Sequence, residues 1–128
     1  MQGLVIRLRT KTLTSTKHDA LPKGASKGDR YTSTDKLINI GTQFGQKGGV
    51  VVGTDKAESS FTSATTAVVS GVATLPGGTI TFRGVLAIVR GGFSVPVVGG
   101  TGTFAGVGGT LTVGSGKDAI NTYALTLP

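Results

Sequence analysis

The sequence predicts an all-β protein: one domain over residues 1–128, folded as an eight-stranded antiparallel up-and-down β-barrel. Three observations predict it. Apolar and polar residues alternate with a period of two in one segment after another, which marks strands with unlike faces. Glycine, threonine and valine are prominent, a mix that suits strands and turns better than helices. No window spaces its apolar residues at helical period over three turns. Strands in hairpin succession close best into a barrel, because closure removes exposed edges.

The elements follow in order. Residues 3–14 alternate Leu4, Ile6 and Leu8 against Val5, Arg7, Arg9 and Lys11. Residues 29–38 set Asp29, Tyr31, Ser33, Asp35 and Leu37 against Arg30, Thr32, Thr34 and Lys36. A third strand is expected near 42–54, broken by Lys47-Gly48-Gly49, and a fourth over about 58–74. The turn Pro76-Gly77-Gly78 leads to a fifth over 79–90, with Ile80, Phe82, Leu86 and Ile88 on one parity. The sixth is 93–98, the seventh 109–114 and the eighth 119–127. Between the sixth and seventh, Val98 to Val113 places six glycines around Phe104 before strict alternation resumes. That run reads as a tight crossing into a strand. Connections are short except for residues 15–28, a polar, turn-rich loop carrying His18.

Composition narrows the function classes. With no cysteine, one histidine and six carboxylates, the chain has no disulfide framework, no thiolate metal site and poor material for structural zinc. Its net charge of +7 is uneven: residues 1–60 hold ten Lys/Arg against five acids, and 61–128 hold three against one. Those cations are spread over loops and polar faces, and few aromatics accompany them, so no specific nucleic-acid partner is expected. No stretch is long enough for a helical membrane span, and Met1 to Arg9 is too charged for a signal peptide. The expectations are no membrane partner and a cytoplasmic location. Strands apolar on both parities, such as 66–73 and 85–89, suggest an outer patch buried in a homo-oligomer, a dimer or trimer.

Three blocks resemble the allene oxide cyclase and dirigent barrel superfamily. The first is Gly28-Asp29-Arg30-Tyr31-Thr32-Ser33-Thr34-Asp35-Lys36-Leu37; the second is the glycine-broken stretch Gly45 to Val52. The third is Gly99-Gly100-Thr101-Gly102-Thr103-Phe104-Ala105-Gly106-Val107-Gly108-Gly109, with Tyr123 in the last strand. The resemblance covers roughly residues 28–127 and implies an eight-stranded barrel whose lumen binds apolar substrates, usually without a cofactor. Plant allene oxide cyclases carry an acidic, asparagine-containing first strand where this chain has Val5-Ile6-Arg7-Leu8-Arg9. The bacterial cyclases that form rings in spirotetronate-type polyketides are nearer in length and glycine content.

The candidate chemistry sits on the second strand. If its odd residues face inward, the lumen holds Asp35 and Tyr31 together with Asp29 and Ser33. A buried carboxylate titrates nearer neutrality, so Asp35 is the candidate proton donor or acceptor. Tyr31 is the candidate for steadying developing negative charge. Phe44, Phe61, Phe82, Arg83 and Tyr123 are the candidate substrate-binding residues, with Arg83 a clamp for a substrate anion if it points inward. Gly100-x-Gly102 lacks the spacing and the following helix of a dinucleotide fingerprint, and no Walker loop is present. The reading is a cofactor-independent cyclase that folds an apolar polyene- or polyketide-like intermediate for ring closure, such as an intramolecular [4+2] addition. The alternative is a dirigent-like or carrier protein that binds a small hydrophobic ligand without turnover. No metal is expected.

Overall fold

A computed structural model describes residues 2–18, 28–87, 92–114 and 119–128. The chain forms one closed antiparallel barrel in which every strand pairs with its sequence neighbours and the last pairs with the first. The strands are β1 (Gln2–His18), β2 (Arg30–Asn39), β3 (Val51–Phe61), β4 (Thr66–Leu75), β5 (Gly78–Ala87), β6 (Phe93–Gly100), β7 (Gly108–Val113) and β8 (Ile120–Leu127). The all-β, eight-stranded barrel expected from alternation is the fold observed.

Burial follows the alternation. Ala67, Val69, Ala73 and Leu75 of β4 are buried, as are Ile80 and Phe82 of β5, Val95 and Val97 of β6, and Tyr123 and Leu125 of β8. Residues of opposite parity on the same strands face solvent, as Val72, Arg83 and Val98 do. One end of the barrel is closed. Leu37, Leu75, Ile80, Phe104 and Val107 form one cluster there with Ile6 and Leu125. Phe104 reaches the core from a short 3₁₀ turn, Gly102–Phe104, in the crossing between β6 and β7. Only glycine fits where that crossing meets the turn before β5. A Cβ on Gly78 would stand 2.0 Å from the Thr101 carbonyl oxygen, and one on Gly102 would stand 2.1 Å from that of Gly77. The crossing expected from the glycine run is thus where the chain seals its core.

Three boundaries differ from the sequence expectation. The third strand begins at Val51 rather than near 42, and a turn at residues 62–65 separates β3 from β4 inside the stretch expected as one strand. Side chains explain the first difference. The Asn39 amide donates to the carbonyls of Gln43 (2.9 Å), Gln46 (3.1 Å) and Lys47 (3.3 Å), which rolls residues 40–50 into a compact loop. Gln43 then grips β1 as an extra strand would: Arg7 N–H donates to its Oε1 at 3.0 Å, and its Nε2 donates to the Arg7 carbonyl at 2.8 Å. The turn at 62–65 is held by the Ser63 hydroxyl, which accepts from the backbone N–H groups of Thr65 and Thr66. At the start of the long expected loop, β1 continues to His18 rather than ending at 14, and the His18 backbone pairs with Arg30. The remainder of that loop, residues 19–27, lies outside the described residues, as does Ile88.

A bulge in β1 matters for the site. Thr12 pairs with Asp35, but Thr14 pairs with Thr34, so the register shifts by one. Before the bulge Thr10 and Thr12 share a face with Asp35; beyond it Ser15 and Lys17 share a face with Ser33 and Tyr31.

Candidate functional site

A cavity of about 320 Å³ occupies the half of the lumen away from the Phe104 plug. Its two walls differ. Thr10, Thr12, Ser33, Asp35, Asp55, Ser59 and Asn121, from β8 through β1 to β3, make a polar wall. Val69, Phe82, Phe93, Leu111 and Val113, from β4 to β7, make an apolar one. Strand order alone produces the division, because each wall is a run of adjacent strands.

Asp35 and Asp55 stand directly opposite each other on β2 and β3. Their side chains come close enough to hydrogen-bond when one carboxyl carries a proton, which two carboxylates cannot do. Burial pushes the Asp55 carboxyl up to about 8, and the hydrogen bond and charge of Asp35 add to the rise. The pair therefore keeps one proton near neutral pH and can give it up or take it back, which is what a general acid or base needs. Beside the pair, the Tyr123 phenol is fully buried. Burial raises its pKa above the ordinary tyrosine range; Asn121 opposes the rise and the charges of Asp55 and Asp35 reinforce it. Tyr123 is consequently a neutral donor, not a phenolate. Asp55 Oδ1, Asn121 Oδ1 and the Tyr123 hydroxyl are buried without hydrogen-bond partners. Orphaned polar atoms of this kind are costly in a protein interior and gather where a ligand or water is to be met.

The residues singled out from sequence divide by place. Asp35 and Phe82 line the cavity. Tyr123 does not line it; the residue is buried in the barrel core, near enough for the charges of both carboxyls to act on its phenol. Tyr31 sits at the rim instead, its ring 5.4 Å from that of Phe61, with the Lys17 ammonium 5.5 Å from the Tyr31 centroid. The proximity of Tyr31 and Asp35 expected along one strand is real, but Ser33 stands between them. Two residues fall outside the lumen. Arg83 is exposed on the outer face of β5, so it makes no anion clamp within the cavity. Phe44, in the 40–50 loop with φ 56°, packs at the closed end beside Leu4, Ile6 and Phe104. Asp29 is buried at the start of β2 and does not line the cavity.

Asp55 and Asn121 are the residues that sequence reasoning missed. A signal for Asp55 exists. Gly53, Asp55, Ala57, Ser59 and Phe61 alternate with Thr54, Lys56, Glu58 and Ser60, and the charged pair Lys56 and Glu58 marks the solvent side. Asn121 shares the parity of Tyr123, Leu125 and Leu127.

The chain is thus a closed antiparallel barrel with one sealed end and a two-walled lumen at the other. No family model and no curated protein matches the chain. Solved structures do. A pyocyanin demethylase superposes with a TM-score of 0.82 at 26% identity, over 96% of this chain and all of that one. The pterocarpan synthase dirigent protein follows at 0.71 and 17%, covering 97% of this chain and 86% of its own. The Diels-Alderase AbmU from Streptomyces koyangensis matches at 0.69 and 15%, over 97% of this chain and 66% of its own. The fold is therefore that of the dirigent-like barrels, which natural-product cyclases share.

Proposed function

We propose that the protein binds one small, largely apolar molecule in the lumen and acts on it as a barrel enzyme of the cyclase and dirigent kind, with Asp35 and Asp55 as the proton donor and acceptor. One observation carries this reading: a proton-sharing carboxyl pair faces an open cavity whose opposite wall is aromatic and aliphatic. The apolar wall holds the body of the ligand in a folded, reactive shape. The pair protonates or deprotonates the edge that faces it, and Tyr123, kept neutral, donates to developing negative charge. Cavity size bounds the substrate. At about 320 Å³ the space lies at the low end of small-molecule sites, roughly 300–1,000 Å³, so a compact bicyclic or tricyclic skeleton fits better than a large polyketide.

The test is turnover. Purified protein is incubated with compact conjugated triene and quinone-methide substrates, and products of unchanged mass are resolved by chiral chromatography. Wild-type protein gives an isomer excess or a rate above background. Asp35→Asn and Asp55→Asn each lower the rate at least about 100-fold, the lower range of general acid–base contributions. Full activity in both variants rejects the proton-transfer role.

A second reading has its own support in the full-length superposition on a pyocyanin demethylase. It calls for the same protein to be incubated with pyocyanin and assayed by mass spectrometry for the product lacking the methyl group.

A further inference from the structure

The lumen wall carries negative charge, with no cation beside it among the described residues. Its lining includes Asp35 and Asp55 and, among the described residues, no lysine, arginine or histidine. The described cations stand elsewhere. Arg7, Arg9, Lys11, Lys47, Lys56 and Arg83 are exposed, Lys36 is half-buried on the strand face opposite to Asp35, and Arg30 is paired with Glu58. Lys17 lies at the rim over Tyr31. The polar wall also ends in unmet acceptors. Asp55 and Asn121 are 5% and 3% exposed, both line the cavity, and the Oδ1 atom of each lacks a partner. A carboxylate oxygen accepts and cannot donate. Across the cavity stand the rings of Phe82 and Phe93. Aromatic faces attract cations as well as flat apolar bodies.

We infer that the lumen selects organic cations: a flat apolar body resting on Phe82 and Phe93, with its positive nitrogen against Asp35, Asp55 and Asn121. The inference rests on the lumen being the ligand site, as proposed above, and adds the charge class of the ligand. A buried carboxyl pair loses its shared proton once a cation stands beside it, so binding expels a proton to solvent. Among the described residues, the groups that face the pair offer no other source of that proton. Tyr123 from β8 is held protonated, β1 offers Thr10 and Thr12, and β4 to β7 offer apolar side chains. A carboxylate ligand meets repulsion, and a neutral one leaves the acceptors unmet.

Three acridines of one ring skeleton test this: N-methylacridinium, a fixed cation; 9-methylacridine, neutral at pH 8; and acridine-9-carboxylate, an anion. Affinity is read by fluorescence for the wild type and for Ala57→Phe, which grows a ring into the cavity. The expected order at pH 8 is cation over neutral by at least tenfold, with the anion weakest. Cation affinity rises from pH 6 to pH 9 while that of 9-methylacridine between pH 7 and 9 stays level. The double variant Asp35→Asn, Asp55→Asn loses the cation preference and keeps neutral binding. Equal binding of all three that Ala57→Phe abolishes leaves the lumen as the ligand site and overturns the charge assignment. Binding that survives Ala57→Phe, or no binding by any of the three, overturns both.

Discussion

Asp55 is a carboxyl that the folded barrel keeps protonated. Burial is the main cause, and the partner carboxyl Asp35 adds to it. Folded Asp55 holds its proton up to about pH 8, whereas an ordinary aspartate releases it near 3.8. Between those values the folded chain binds more protons than the unfolded chain, so this group makes stability fall as pH rises. The loss begins near the unfolded value and is complete once pH passes the folded one. The barrel is therefore expected to melt at a lower temperature at pH 9 than at pH 5. Asp55→Asn keeps the shape and removes the charge, so it flattens that part of the curve. At pH 9 the variant should melt about 5 °C or more above wild type, the shift that roughly 1 kcal/mol gives in a domain of this size. Scanning calorimetry across the range decides it. Parallel curves for the two proteins would show that Asp55 ionises freely in the folded state.

Between strands, the lumen depends on a glycine facing an aromatic ring. Gly71 of β4 pairs with Phe82 of β5. A Cβ at Gly71 would stand 2.5 Å from Phe82 Cζ and 2.6 Å from the Lys56 carbonyl oxygen. The ring can swing, but the backbone oxygen cannot move without disturbing β3. Gly71→Ala is therefore expected to cost about 1–3 kcal/mol, as overpacking does, and to push Phe82 into the cavity. Urea denaturation measures the first effect, and weaker binding of a lumen ligand measures the second. The strands themselves were largely legible from alternation, as with β2, where Asp35 and Ser33 alternate with Lys36 and Thr34. The stretch from Gly41 to Val50 was not. Its fold comes from Asn39 gathering three carbonyls and from Gln43 bonding across to Arg7, contacts between side chain and distant backbone that no period encodes. Misplacing that loop moved the third strand and hid Asp55. Half of the carboxyl pair was thus readable from β2 alone, and the other half required the β2–β3 register. The bulge at Thr12 was equally silent, although it turns Lys17 toward Tyr31 at the rim.

Over the whole molecule, charge divides the outer surface. Arg7, Arg9, Lys11, Arg30, Lys36, Lys56 and Glu58 all lie on β1 to β3. The outward positions of β4 to β6 carry Val68, Val72, Val85, Pro96 and Val98, with Arg83 as the charge among them. Val85 is 71% exposed and Val98 59%, while Val68 pairs with Val85 across the β4–β5 ladder. Valines left bare on neighbouring strands are a surface that water disfavours, and each returns about 25 cal/mol for every Å² it hides. A second copy is the natural cover, because meeting through this face points the two basic halves away from each other and keeps their repulsion small. The protein is therefore expected to run as a dimer or trimer in light scattering at micromolar concentration. Val85→Glu should shift it toward monomer, since each copy would then bring a carboxylate into the contact. Arg83→Ala, by removing the cation that β4 to β6 carry among the described residues, should tighten the association. Raising salt separates apolar association from association through charge. Contact through the valines persists or strengthens in 0.5 M sodium chloride, whereas contact through the basic half with some acidic segment weakens. A monomer at every salt concentration, with Val85→Glu behaving as wild type, would leave the exposed valines as a property of the isolated barrel.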